Sequence, residues 1–300
     1  MAAAADRGRL TELAHVHPPV LEASGPARTA VRAGYQGEPG AYSEEAVLAL
    51  FPTAAPVGHR TFTKAIDALQ GGDVDVDVIP VENTLGGIVQ EANDLLWERG
   101  GLRLVAEYVH PIRHCLLGFP GAPVRRAMSH PQALAQTRRY LEARGIEPIP
   151  HHDTAGAASD LATRPEPGLA AIASAAAARR YGLEVLAEGI QDDDTNRTRF
   201  VVVERGVPDR PAAAAAGSKC SLCFVAAHEP GSLVVALQCL STRSVNLTRL
   251  EARPIFDKPF EYRFFLDFQV ADPEAAEAAL RDLEAKAHEV RLFGTYRAFA

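Results

Sequence analysis

Short apolar runs of strand character alternate with helical stretches from Val31 to about residue 204, and this alternation constrains the fold more than any other feature. Strands linked through helices return parallel, with the helices covering the sheet faces. Val31–Tyr35 reads as a strand, Gly34–Gly40 as a glycine-rich turn, and Ala41–Leu50 as a helix with Glu44 and Glu45 in its first turn. Phe62–Leu69 reads as a short helix ending at Gly71-Gly72, and Val74–Ile79 as a strand that stops at Pro80. Leu102–His110 and Ile112–Leu117 read as strands, and Ser129-His130-Pro131-Gln132 opens a helix that runs to Gly145. Asp153 caps a further helix, Leu169–Ala173 is a strand, Ser174–Tyr181 a helix stopped by Gly182, and Phe200–Val203 a β-branched strand. The expected class is a mostly parallel α/β layer protein.

The pattern changes at Pro208–Gly217, which holds two prolines and the run Ala212–Ala216 and reads as a linker. Beyond it the order is strand (Leu222–Ala226), helix (Pro230–Leu240), two strands (Val245–Leu250 and Phe260–Val270), helix (Pro273–Ala287) and strand (Val290–Phe293). That βαββαβ order is the ferredoxin-like split pattern, an α+β unit. A chain of 300 residues is long enough for both bodies. Residues 1–31 are alanine-rich with scattered charges and no continuous apolar core of a secretory signal, so a disordered leader is expected.

Charge and cysteine usage remove several function classes. With 31 basic against 38 acidic residues the net charge is −7, which argues against a nucleic-acid partner. No apolar run approaches the roughly 20 residues of a membrane span. Four cysteines are too few for a disulfide framework and fit a reducing compartment, the cytoplasm, or a plastid if the source is a plant and a transit peptide is missing. Cys220-x-x-Cys223 looks like half a zinc site, but it lies in a strand-like run with no second pair, so packing is expected and no metal or other cofactor.

Polar motifs punctuate the α/β part. In Asn196-Arg197-Thr198-Arg199-Phe200 a hydroxyl is flanked by two arginines at the mouth of a strand. The cations can hold a carboxylate and the hydroxyl can share a proton, unless the arginines pair with Asp192–Asp194 as a surface turn. Pro80-Val81-Glu82-Asn83-Thr84-Leu85-Gly86-Gly87 sets a carboxylate, an amide and a hydroxyl at the carboxyl end of a strand, where open α/β sheets bind ligands. The alternative there is a capped helix start at Asn83 or Thr84. Gln136 follows Gln132 by one turn, on the same helix face. The glycine turn before Ser43 is a general anion seat at a helix start. His110 and His114 have no partner at ligand spacing and read as packing or strand-end residues.

Taken together, Gly34–Ser43, Ile79–Gly87, Ser129–Gln136, Asp153–Ala158 and Asn196–Phe200 occur in an order and spacing that resembles the prephenate dehydratases with a C-terminal ACT regulatory domain, and equally the related arogenate dehydratases. The resemblance covers about residues 32–297. It implies two lobes like a type II periplasmic binding protein (lobe one 32–109 and 189–206, lobe two 110–188), a linker over 207–219 and an ACT domain over 220–297.

By the same resemblance, Thr198 is the catalytic hydroxyl of a Thr-Arg-Phe motif, with Glu82, Asn83 and Gln136 as further catalytic groups. Arg199, Phe200, Ser43, Thr84, Ser129, His130, Gln132, Thr154 and Ala155 match the substrate-binding positions. Thr84 stands where the family usually has serine. The implied reaction converts prephenate to phenylpyruvate, water and carbon dioxide, or arogenate to phenylalanine directly. Phenylalanine is the implied effector, bound at a seam between two copies by Gly231, Ser232, Leu233, Asn246, Leu247 and Glu251-Ala252-Arg253-Pro254, so a homodimer or homotetramer is expected. Ala252 stands where the family has serine. The rivals are a sensor on the same fold and a fused chorismate mutase, the latter excluded because the leader is too short for its helices.

Overall fold

The computed structural model describes residues 30–256 and 258–297. The expected leader falls almost wholly on residues 1–29, outside the described residues. Two compact units form: 30–92 with Tyr108–Phe200, and Asn93–Glu107 with 201–297.

In the first unit, β1 (Arg32–Gln36) leads through Gly37–Gly40 into α1 (Tyr42–Leu50). β2 (Ala55–His59) and α2 (Phe62–Gly71) follow; α2 starts where Thr61 accepts from Lys64 N–H at 3.2 Å and stops at Gly72 in the left-handed region. β3 (Val76–Asn83) passes through Pro80 and turns back into the two-residue β4 (Gly87–Ile88), so neither Asn83 nor Thr84 starts a helix. The helix that follows is α3 (Gln90–Glu98), which the sequence reading does not contain and most of which, from Asn93, belongs to the second unit. β5 is Leu102–Pro111 and β11 is Arg197–Arg205; each contributes residues to both units. β1 pairs in parallel with β2 and β3, and β11 lies beyond β3.

A second sheet of the same unit is built from 115–188 alone. Its strands are β6 (Cys115–Gly118), β7 (Arg126–Ser129), β8 (Glu147–Pro150), β9 (Leu169–Ala173) and β10 (Glu184–Glu188), in the order β10-β6-β9-β7-β8. β7 runs parallel to β8 and β9, while β6 is antiparallel to β9 and β10. Its helices are α4 (Pro131–Gln136), α5 (Arg138–Arg144), α6 (Thr154–Thr163) and α7 (Ala175–Tyr181). The single helix expected over 131–144 is broken at Thr137, whose buried hydroxyl donates to Ala133 O at 2.8 Å. Leu117, Ala157, Leu161, Ala171 and Ala177 fill one face of this sheet and Leu116, Leu134, Leu141 and Ile172 the other. Burial on both faces is what an α/β layer requires, each large aliphatic side chain contributing roughly 1.5–3 kcal/mol.

In the second unit, β12 (Ser218–Val225), α8 (Ser232–Ser241), β13 (Leu247–Ile255), β14 (Lys258–Val270), α9 (Pro273–Lys286) and β15 (Glu289–Arg297) follow the expected βαββαβ order. β12 is central, antiparallel to β14 and β15, and β13 pairs outside β14. Cys220, Phe224, Leu240, Leu266, Phe268 and Leu280 form its core. Cys223 is fully buried as well, and burial pushes the Cys220 thiol up to about 12, as suits packing rather than reactivity. Among the described residues no helix is long and apolar enough to cross a membrane, and no group of three or more His, Cys, Asp or Glu side chains could hold a metal.

Candidate active site

The polar ends of β3 and β11 meet the first turns of α1, α4 and α6 around a cavity of about 350 Å³. Asn83 is its hub. Its Oδ1 accepts from the amides of Leu85 (3.1 Å) and Gly86 (2.7 Å), which shapes the turn after β3. Its Nδ2 donates to Thr198 Oγ1 (2.9 Å), Asn196 Oδ1 (2.9 Å) and Arg197 O (3.0 Å). Thr198 Oγ1 is therefore an acceptor towards Asn83, and its own proton remains to be given elsewhere. Thr198 and Phe200 line the cavity together because residues two apart on a strand share a face.

α4 supplies the opposite wall with His130, Gln132 and Gln136. His130 caps this helix by accepting from Gln132 N–H through Nδ1 (3.2 Å). Gln136 Nε2 points to Asn83 Oδ1 (3.4 Å), as does Gln132 Nε2 more loosely (3.5 Å). Gly86 leaves room for this wall: a Cβ there would sit 1.8 Å from Gln132 Nε2. Gly86→Ala should displace Gln132 and raise KM by about tenfold with little loss of thermal stability, since the blocked side chain lines a cavity. Steady-state kinetics beside a thermal melt would test this, and an unchanged KM would count against Gln132 as a substrate contact.

Ser43 and Thr154 complete the lining from the starts of α1 and α6. α6 is capped by Asp153, which accepts from Gly156 N–H at 2.6 Å. α1 has Ala41 at its N-cap and no side-chain cap, an unusual state for a helix start and one suited to an anionic ligand. Ser174 and Tyr181 hold the glycine turn before it, donating to Gly40 O (2.9 Å) and Pro39 O (2.7 Å).

Several expected site residues are not brought to the cavity. Because β3 continues to Asn83 as a strand, Glu82 points to the opposite face, where it pairs with Arg199 (3.3 Å), itself alternating away from Thr198. Arg197 lines a different cavity of the same unit, beside Arg113 and Arg179. The anticipated arginine clamp on a substrate carboxylate is thus not formed by this arrangement. Ser129 is fully buried and donates to Ile172 O (2.6 Å), tying β7 to β9. Ala155 is buried in the first turn of α6. Thr84 donates to Thr195 O (3.0 Å) and accepts from Arg197 N (2.9 Å), fastening the turn to the entry of β11.

Several residues of the cavity wall are absent from the sequence-based site, among them Gln36, Phe62 and Ile112, and two others form a pair. Tyr42 and His114 both line it, 72 positions apart in sequence and joined by a 3.0 Å hydrogen bond. His114 had been expected only to pack, as had His110, which bonds Glu45 (3.2 Å) outside the cavity.

In the second unit Ser232 and Leu233 line a cavity of about 350 Å³ with Phe264, Tyr262 and His228. Gly231 precedes them at φ +86°. Within one chain the other expected effector residues lie elsewhere. Arg253 bonds Asp94 (2.6 Å) and, with Pro254, lines a separate cavity, while Asn246 donates to Gln269 (3.0 Å). Leu247, Glu251 and Ala252 follow along β13.

The prephenate dehydratase family model matches residues 33–207. An arogenate dehydratase/prephenate dehydratase of Arabidopsis thaliana, chloroplastic, is 38% identical over 288 residues, covering 89% of this chain and 72% of the relative. Among solved structures, the prephenate dehydratase of Arthrobacter aurescens in complex with L-Phe superposes with a TM-score of 0.80 at 27% identity, over 89% of this chain and 90% of that one. A protein described as a novel type of quorum-quenching acylase superposes at 0.81 with 33% identity, over 89% of this chain and 98% of that one. The fold and these likenesses define a dehydratase, a carbon–oxygen lyase. The chain belongs to the prephenate dehydratase family.

Proposed function

We propose that the chain converts prephenate to phenylpyruvate, water and carbon dioxide in phenylalanine biosynthesis, and that phenylalanine regulates it through an ACT domain over 220–297. The observation that carries the catalytic reading is the Thr198 hydroxyl, which accepts from Asn83 and keeps its proton for the cavity.

In the reaction the ring carboxylate leaves as carbon dioxide, its bonding electrons enter the ring, and the ring carbon–oxygen bond breaks. The departing hydroxide takes up one proton to become water. Thr198 donates its proton to that oxygen, the Asn83 amide stabilises the charge that develops on the threonine, and a proton from solvent restores the hydroxyl as the products leave. The side-chain carboxylate of the substrate sits at the uncapped start of α1 beside Ser43, with the Thr154 end of α6 opposite. The departing carboxylate faces Phe62, Ile88, Ile112 and Phe200, where loss as a neutral gas is favoured.

The lining side chains are hydroxyls, amides, imidazoles and apolar groups. A ketone accepts from such groups, whereas the ammonium of arogenate would lose hydration for neutral acceptors alone, which supports prephenate as the preferred substrate. The alternative, arogenate, has the relatives' names in its favour. Acyl-amide hydrolysis is a second reading, favoured by the likeness to the acylase. It would need a base on Thr198 Oγ1, and the partner there is an amide donor. A non-catalytic sensor is the remaining alternative.

For regulation, the Ser232–Leu233 cavity is of a size for an amino acid. The Glu251–Pro254 segment would join it only from a second copy, which makes a homodimer or homotetramer part of the reading. Rates on prephenate, arogenate and an acylated amine, each with and without phenylalanine, test the whole. We expect prephenate to be turned over at least tenfold faster than arogenate. Faster arogenate turnover would make phenylalanine the direct product, and turnover of neither with retained phenylalanine binding would leave the sensor.

A further inference from the structure

We propose that His114 is a positioning residue of the dehydratase site, holding the Gln136 amide in the one orientation that supports Asn83. The inference rests on the dehydratase reading above. His114 lies in the turn between β5 and β6, where its N–H donates to Gln191 Oε1 (3.0 Å) and its carbonyl accepts from Ile190 N–H (3.0 Å). Its side chain is buried, with Nε2 at 2.9 Å from Gln136 Oε1 and Nδ1 at 3.0 Å from the Tyr42 hydroxyl.

The proton inventory of this chain has one solution for a neutral ring. Gln136 Oε1 can only accept, so His114 Nε2 carries the hydrogen and Nδ1 is bare. Burial disfavours the charged imidazole and lowers its pKa, against the raising effect of the Gln136 bond. The bare Nδ1 then accepts from Tyr42, whose phenol burial keeps protonated, and that hydroxyl is shared with Arg113 O at 2.8 Å. Asn196 Nδ2 donates to the same Gln136 oxygen (3.0 Å). A half-turn of the Gln136 amide would set its NH₂ against two donors, so the amide is held with Nε2 towards Asn83 Oδ1. Asn83 in turn holds Thr198. His114 moves no proton in this arrangement, because a carbonyl oxygen cannot pass one on.

The test compares His114→Leu, His114→Gln and Tyr42→Phe, assayed on prephenate, with thermal midpoints and ¹⁵N side-chain spectra of the ligand-free protein. Misplacing a catalytic group by about 1 Å costs up to about 100-fold, so His114→Leu should lower kcat about 30-fold and change KM less than about threefold. His114→Gln, whose amide can donate from nearly the same position, should recover about tenfold of that loss. Tyr42→Phe should add nothing in the His114→Leu background, because both act through one ring. The imidazole nitrogens should report the Nε2–H tautomer, and the Gln136 NH₂ signals should move in His114→Leu. Equal damage in both histidine variants at unchanged thermal midpoints, or a loss carried by KM, would overturn the proposal. So would Gln136 signals that stay fixed in His114→Leu. If the wild-type chain turns over neither prephenate nor arogenate, the dehydratase reading fails, and the spectra alone still decide whether His114 holds Gln136.

Discussion

Thr198→Ala is expected to lower turnover of the preferred substrate by about 10²–10³-fold, the usual result of removing one donor aimed at a developing oxyanion. The fold should survive it. Asn83 Nδ2 has only two hydrogens and faces three acceptors, so without Thr198 Oγ1 it keeps Asn196 Oδ1 and Arg197 O at 2.9 and 3.0 Å. No buried donor is orphaned, and the expected stability loss is about 1 kcal/mol or less. Thr198→Ser, which retains the hydroxyl, should recover most of the rate, while Thr198→Val, close in shape, should not. Rates and thermal midpoints of the three variants separate donor chemistry from packing. A Thr198→Val enzyme of near wild-type rate would remove the hydroxyl from the mechanism and leave a bound water or His130 to donate.

The sequence made much of this site legible because its polar motifs sit at strand ends and helix starts, positions that turn chemistry and capping mark locally. Asn83, Thr198, Gln132, Gln136, Ser43 and Thr154, which the family resemblance grouped, line one cavity. Glu82 and Arg199 misled for a definable reason. Reading β3 as ending at Pro80 made Glu82-Asn83 part of a loop, in which neighbouring side chains can converge. As strand residues they alternate, and each brings one neighbour to the cavity and sends the other away.

Short strands were harder to see than helices. β8, Glu-Pro-Ile-Pro, carries two prolines, tolerable because it pairs with β7 alone at the edge of its sheet. β10 is mostly exposed and lacks an apolar repeat. Nothing near Tyr42 or His114 in sequence marks them as partners, since their contact and that with Gln136 arise only once the chain has crossed between its two sheets and back.

The largest effect expected on stability lies in β3, at Asp77. It stands opposite Gly34 of β1, and a Cβ on Gly34 would come within 1.9 Å of its Oδ1, so the glycine makes space for the acid. Asp77 is fully buried, and both carboxyl oxygens lack a hydrogen-bond partner. Burial alone pushes its pKa from the ordinary 3.8 up to about 7. The folded chain therefore keeps this proton up to about pH 7, while the unfolded chain releases it near 3.8. Between those values the native state binds more protons, so unfolding becomes easier as pH rises; the contribution is complete below about 3.8, declines through the window and is gone above about 7. At about 1.4 kcal/mol per pH unit across that window, the loss is up to about 4 kcal/mol. Asp77→Asn, nearly the same shape and never charged, should remove this slope. Its stability relative to wild type should rise steadily between pH 4 and 7 and level off above, leaving the variant the more stable protein at pH 8. Chemical denaturation of both proteins across that range measures the difference directly and cancels the groups they share. A difference that does not change with pH would mean that Asp77 is charged in the native state and has a partner or water to hold it there.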